Sequence, residues 1–316
     1  MASRLLLFFP TLLLASLTIF LVMRVLPGDV ALTVLSGSGE VSHDIEQIEQ
    51  IREELGLNDP LATQYGKWLA SLAKGEFGGR SLEDRTPIGS LIAHQLPITL
   101  QLTIYTLLTS LLISVPLGVA AALNQNKWPD YLIRITTITG QALPSFFVAL
   151  MTILGLLTIF KWSPPLVYSH IWDKPWNHFQ MLVWPVLILA WGYSAFLTRI
   201  TRASFLEVMG QDYIRTARAK GLSMRLIVWR HALRNSLIPI ISVGALQLGG
   251  LVSGVVVLET IFGIPGVGRG IVEAAVARDY PVIQSLATLL VLLMLIVNLV
   301  TDLLYKVIDP RVSFAT

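Results

Sequence analysis

The chain has 316 residues, of which 54% are hydrophobic and only 14% charged, and its mean hydropathy is +0.68. Soluble domains carry roughly 25% charged residues, so composition excludes an ordinary water-soluble protein, and the deficit lies in long apolar runs of the kind a bilayer selects. The net charge of +3 says little until the charges are placed on two sides of a membrane, and the absence of cysteine excludes disulfides, thiolate metal sites and a cysteine nucleophile.

Residues 5–26 form the first apolar run, directly after Arg4. A secretory signal is the competing reading, but the run exceeds the roughly 7–15 residues of a signal core and no small-x-small cleavage site follows it. It is also long enough to cross about 30 Å of hydrocarbon as a helix. It reads as an uncleaved first span. The next segment, 27–97, holds five Lys/Arg against eleven Asp/Glu and carries turn signals such as Pro27-Gly28-Asp29, so it reads as a domain outside the membrane. Within it, Ile45, Ile48, Ile51 and Leu55 share one face of an amphipathic helix over 44–55, with Asp44 as N-cap. That helix ends at Gly56, and Pro60 opens another containing Tyr65, Trp68 and Leu69.

Five further apolar stretches follow, at about 98–123, 133–160, 182–200, 238–258 and 281–305. The fold class is therefore an all-α integral membrane protein with six transmembrane helices and both termini on one side. The segment between the fourth and fifth spans, 199–237, holds Arg199, Arg202, Arg215, Arg218, Lys220, Arg225, Arg230 and Arg234 against Glu207 and Asp212. By the positive-inside rule it faces the cytoplasm. The same choice puts Arg4, Lys127, Lys306 and Arg311 inside and sends 27–97, 161–181 and 259–280 outside.

In that basic segment, Gly210 and Gln211 lead into a short helix that starts with Asp212, ends with Arg218 and Lys220, and is followed by Gly221. These signs match the helix dipole and a glycine stop. Tyr213, Ile214 and Ala217 make a narrow apolar stripe, with Arg215, Arg218 and Lys220 around it. Each arginine would cost about 2.5–3.5 kcal/mol in hydrocarbon, and a helix this short does not persist alone in water. It must lie outside the bilayer and dock on something.

The run Tyr213-Ile214-Arg215-Thr216-Ala217-Arg218-Ala219-Lys220-Gly221-Leu222, continuing through Arg230-His231-Ala232-Leu233-Arg234-Asn235 to Ile238-Pro239, resembles the cytoplasmic signature loop of binding-protein-dependent permeases. The branch it resembles is that of dipeptide, oligopeptide and nickel importers driven by ABC ATPases, in its first permease subunit type. Leu26-Pro27-Gly28-Asp29, Leu55-Gly56-Leu57, Gly75-Glu76-Phe77-Gly78, Leu96-Pro97-Ile98-Thr99-Leu100 and Leu143-Pro144-Ser145-Phe146 carry the likeness through the first half. Glu259-Thr260-Ile261-Phe262-Gly263-Ile264-Pro265-Gly266-Val267-Gly268-Arg269, Arg278-Asp279-Tyr280-Pro281 and Asp309-Pro310-Arg311 complete it.

The resemblance implies that 210–221 is a coupling helix, with Asp212, Tyr213, Ile214, Arg215, Thr216, Ala217, Arg218, Ala219, Lys220 and Gly221 meeting an ATPase subunit. One departure is that the broader superfamily has glutamate where Arg215 stands. The layout implied is a first helix at 1–26, an extracytoplasmic domain at 27–97 and a five-helix permease core at 98–316, in the bacterial cytoplasmic (inner) membrane with both termini in the cytoplasm. Partners implied are a homologous second permease subunit, two ABC ATPase subunits, an extracytoplasmic solute-binding protein and membrane lipid, with no nucleic acid. ATP and Mg belong on the ATPases, and this chain binds no cofactor. The solute stays open among dipeptides, oligopeptides, nickel chelates, glutathione and oligosaccharides.

Other residues are read from physics. Gln141 and Gln247 are polar groups inside spans that should avoid lipid, so either they face the solute pathway or they hydrogen-bond between helices. Gly244, Gly249, Gly250 and Gly254 predict close helix packing, some of it against a second subunit if the resemblance holds. Phe262, Gly263, Pro265, Gly266 and Arg269 fall in a glycine-rich outer loop, 259–280, whose irregular backbone suits an outer gate. His170, Asp173 and His178 are spaced too loosely for a metal site. No phosphate loop, zinc helix, nucleophile elbow or dinucleotide fingerprint occurs, so this chain has no catalytic set of its own. An ion-coupled transporter is the rival class; it should carry ionisable groups within its spans, and here Arg24 and Asp302 stand only near span ends.

Overall fold

The computed structural model describes residues 2–25, 49, 52–53, 56–165 and 167–308. The turn at 26–29, most of the helix expected at 44–55 and the 309–311 motif lie outside the described residues. Helices dominate: α1 (Ala2–Val25), α2 (Leu61–Ala73), α3 (Ile88–Leu123), α4 (Trp128–Ala142), α5 (Ser145–Thr158), α6 (Pro175–Met209) and α7 (Asp212–Ala219). After these come α8 (Met224–Leu226), a π-helical turn (Ile227–Ala232), α9 (Leu233–Leu246), α10 (Leu248–Phe262), α11 (Val267–Ala277) and α12 (Tyr280–Ile308).

Four of these helices, α1, α3, α6 and α12, are long and apolar enough to cross a membrane unbroken. The stretches expected at 133–160 and 238–258 are not straight spans. The first is the pair α4 and α5, bent by 102°, and the second breaks between Ala245 and Leu248 with a bend of 54°. Pro144 explains the first break, since a proline drives the residue before it out of helical geometry and Leu143 is extended at φ −85° and ψ 127°. At the second, Gly249 and Gly250 follow Gln247 and weaken the helix. The carbonyl of Ala245 at that break accepts a 3.1 Å bond from Thr301 Oγ1, the kind of side-chain repair that lets a broken helix persist in lipid. Helix α3 begins ten residues before the expected span, and α6 runs from 175 to 209, so Arg199 and Arg202 ride on a helix and not in a loop.

The chain forms two compact units. One comprises Met1–Thr99 and Pro265–Leu295. Its core is Ile88, Ile92, Val267, Ala274, Val282, Leu286 and Leu289. Helix α2 is tied to α1 by Tyr65, whose hydroxyl is 2.8 Å from Ser16 Oγ and whose ring lies 5.3 Å from that of Phe20. Asp279 caps α12, accepting from Val282 N at 3.3 Å, while its other oxygen takes Ser81 Oγ at 2.6 Å and Leu82 N at 2.9 Å. One buried carboxylate thus fixes a helix start and the 80–87 turn together. Replacing Asp279 with alanine removes a cap and strands buried donors, at a cost of about 3 kcal/mol. Amide exchange of residues 80–87 in the purified protein should accelerate accordingly, and unchanged protection would refute this.

The other unit comprises Leu100–Ile264 and Ile296–Thr316. Its spine is α6, on which α4 lies. Arg202 grips Asp130 with two 2.8 Å bonds, from Nε to Oδ1 and from Nη2 to Oδ2, and Asn126 N adds a third at 3.0 Å. Further along, Gly140 leaves space for Trp191, and on α3 Gly118 lies so close to Thr201 that any Cβ there would collide with it. Gly244, Gly250 and Gly254 meet Leu197, Tyr193 and Leu189, which are spaced four apart on α6. Three of the four glycines thus pack closely against the chain's own α6, the close helix packing that the sequence predicts.

Candidate coupling surface and translocation cleft

Helix α7 starts after Gln211, which is extended at ψ 150°, with Asp212 in its first turn and Arg218 in its last, both favourable to the dipole. It stops at Gly221, whose φ of +76° is the left-handed geometry that glycine supplies without strain. Leu222 N reaches back to Ala217 O at 3.3 Å to close the end.

The apolar stripe does not look outward. Ile214 and Ala217 are buried in a cluster with Ala122, Phe205, Ile227, Val228 and Ala232, all from this chain. The docking that a helix of eight residues needs is thus supplied from within, Ile214 alone contributing about 2 kcal/mol of burial. Only the third member of the stripe, Tyr213, is 42% exposed, and its hydroxyl accepts a 2.8 Å bond from Asn235 Nδ2. What α7 presents to solvent is Asp212, Tyr213, Arg215, Thr216, Arg218, Ala219 and Lys220. The helix sits against a π-helical turn, a rare form found often at functional sites.

The two glutamines singled out in the sequence come together. Gln141, beside the bend between α4 and α5, and Gln247, at the bend between α9 and α10, line one cleft of about 300 Å³. Its other walls include Trp191, Tyr193 and Phe196 of α6, with Gly250 and Gly254 opposite. Gln141 Oε1 accepts a 2.6 Å bond from Arg199 Nη2, and that guanidinium lies 5.6 Å from the Phe196 ring. Irregular backbone is tolerated at membrane depth only against protein or water, and both helix breaks border this cavity. The aromatic wall was not legible in the sequence, since Trp191 and Tyr193 read as ordinary span residues.

The 259–280 segment differs from the irregular loop expected. Phe262 is buried at the end of α10, and Gly263, at φ +67°, caps that helix. Pro265 and Gly266 then lead straight into α11, on which Arg269 pairs with Glu273 at 2.6 Å. Most of the segment is helical because its glycines serve packing as much as turning: Gly270 faces Gln95 so closely that a Cβ would collide with it. Thr99 Oγ1 accepts from Val267 N at 2.9 Å and satisfies the first turn. His178 is buried with Nδ1 2.9 Å from Ser169 O and its ring edge-on to Tyr105 and Tyr168, and no three metal-binding side chains cluster among the described residues.

Residues 114–314 match the family described as the inner membrane component of binding-protein-dependent transport systems, and residues 1–103 match the N-terminal part of such membrane components. The chain belongs to this family. The permease is 38% identical to the dipeptide transport system permease protein DppB of Alkalihalophilus pseudofirmus, over 98% of each chain. It is 37% identical to the oligopeptide transport system permease protein AppB of Bacillus subtilis over 96% of each, and 36% identical to the glutathione transport system permease protein GsiC of Escherichia coli over 99% of this chain and 98% of that one. Among solved structures, an inward-facing MetNI methionine ABC transporter chain superposes with a TM-score of 0.55 at 17% identity, covering 71% of this chain and 98% of that chain. That likeness concerns the fold. The permease is thus a multi-pass membrane subunit of an ABC importer, a class that works with ATPase and solute-binding partners.

Proposed function

We propose that this permease carries peptides or a closely related solute through a pathway it forms with a homologous second permease, driven by two ABC ATPases and fed by an extracytoplasmic binding protein. The observation that carries the reading is end-to-end similarity to permeases named for dipeptides, oligopeptides and glutathione. On this reading the chain crosses the membrane six times, counting each bent pair as one span, with both termini in the cytoplasm and the 27–97 domain outside. The exposed face of α7, from Asp212 to Lys220, is the surface an ATPase pushes. ATP and Mg stay on the ATPases. The Gln141 and Gln247 cleft offers amide groups and an aromatic wall, which suit a peptide backbone better than a bare ion. The segment from Phe262 to Arg269 belongs to the outer mouth.

Uptake tests this directly. A strain lacking the permease, supplied with labelled dipeptide, longer peptide and glutathione, should recover import of one of them on complementation, and failure with all three would sink the peptide reading. Gln247→Leu in the complemented strain should lower uptake about tenfold, the effect of losing one buried hydrogen bond to a solute. Basal ATP hydrolysis by the purified complex should stay unchanged in that variant. Loss of both activities would place Gln247 in the scaffold and not in the pathway.

A further inference from the structure

We infer that a cavity at the end of α1 binds the phosphate of a phospholipid, with preference for a headgroup that carries an ammonium. The cavity has a volume of about 270 Å³, and Phe20, Arg24, Gln64, Trp68, Glu76 and Gln284 stand on its walls. Two of its donors are buried without a hydrogen-bond partner, Trp68 Nε1 and Gln284 Nε2. Gln284 is only 4% exposed. A buried donor left unpaired costs about 1–3 kcal/mol, so both would gain from an acceptor oxygen brought within their reach.

Arg24 supplies the charge. Its Nε donates to Gln64 Oε1 at 2.9 Å, and Gln64 Nε2 is itself held by the carbonyls of Leu57 at 3.0 Å and Asp59 at 2.8 Å, so the amide orientation is determined. The guanidinium also lies 4.9 Å over the Phe20 ring, and among the described residues it makes no ion pair. A cation held on one edge by a fixed amide, with its terminal nitrogens left over, matches a phosphate better than a water.

Position identifies the source. The apolar stretch of α1 runs from Phe8 to Val25, which puts Arg24 at headgroup depth. Below it Leu14, Leu17 and Leu21 are exposed along one face of the helix and offer a ledge for an acyl chain. Tyr65 and Trp68 add the interfacial aromatics typical of that depth. Glu76, the exposed carboxylate on the wall, is the partner for an ammonium, whereas Lys67 is already engaged by Asp59 at 2.6 Å.

The test is lipid retention by the transporter complex, purified in detergent through a tag on this chain and analysed by native mass spectrometry. The wild type should keep phosphatidylethanolamine after delipidation and re-addition of an equimolar mixture with phosphatidylglycerol. Arg24→Gln and Gln284→Glu should each lower retention about tenfold, the loss of one charge-assisted contact, and Glu76→Gln should erase the headgroup preference. If Arg24→Gln fails to assemble, Gln284→Glu decides alone. Inorganic phosphate added to the delipidated complex should leave its melting temperature unmoved. A rise abolished by Gln284→Glu would assign the cavity to a soluble anion and overturn the lipid reading. So would unaltered retention in both variants, or a map with a partner chain filling the cavity.

Discussion

Ile214→Asp is expected to deplete assembled permease from the membrane, whereas Arg218→Glu is expected to leave it assembled and silence uptake. The two positions are one turn apart on α7 but differ in burial: Ile214 is buried against Phe205, Ile227 and Val228, while Arg218, at the C-terminal end of the helix, is exposed. Truncating a core isoleucine costs about 2–5 kcal/mol, and a carboxylate in its place adds the penalty of a buried charge with no partner. An exposed substitution changes stability by about 0.5 kcal/mol at most. A loss of uptake without loss of the permease would therefore point to a contact of α7 with another protein, as the proposed function requires. Reversing a charge at a docking surface costs several kcal/mol, so uptake into proteoliposomes should fall about a hundredfold or more while the amount of folded permease in the membrane holds. Thr216→Trp, at another exposed position of α7, should behave likewise. Full uptake in both surface variants would remove α7 from the energy path.

Breaking the pair of Asp130 and Arg202 should be as damaging as any single change in the chain. Asp130 is wholly buried and Arg202 is 23% exposed, joined by two bonds of 2.8 Å. Removing one partner of such a pair leaves a stranded charge and costs about 3–5 kcal/mol, yet replacing both by apolar residues of similar size is often neutral. Asp130→Asn should thus inactivate the purified complex on mild heating, and Asp130→Leu with Arg202→Met should restore most of its lifetime. Arg202→Lys alone should also shorten that lifetime, because an ammonium cannot reproduce the bidentate fork. Equal half-lives for wild type and Asp130→Asn would mean the pair holds nothing.

Much of the site was legible because its signals are local. Asp212 at one end of a nine-residue stretch, Arg218 and Lys220 at the other and Gly221 beyond it specify a short capped helix without reference to the rest of the chain. Gln141 and Gln247 stand out since a polar amide in an apolar run is costly wherever it lies. What local signals cannot carry is direction. The stripe of Tyr213, Ile214 and Ala217 looked the same whether it met a partner or its own chain, and only the packing of Phe205, Ile227 and Val228 from distant positions decided for the latter.

The pairing of Asp130 with Arg202, which the sequence reading places in a cytoplasmic loop, was out of reach for a related reason. Asp130 and Arg202 sit 72 residues apart, and as single letters they resemble the solvated flanks of two spans. By itself the sequence determined that the chain is helical and membrane-bound, and, through its motifs, which family it belongs to, because apolar length and backbone caps act over a few neighbouring residues. The tertiary structure alone decided where the long helices bend, which face of α7 remains free and that two glutamines 106 positions apart share a cleft. Those outcomes depend on which distant surfaces fill one another's volume, and close packing is a property of the folded chain that no short stretch of residues contains.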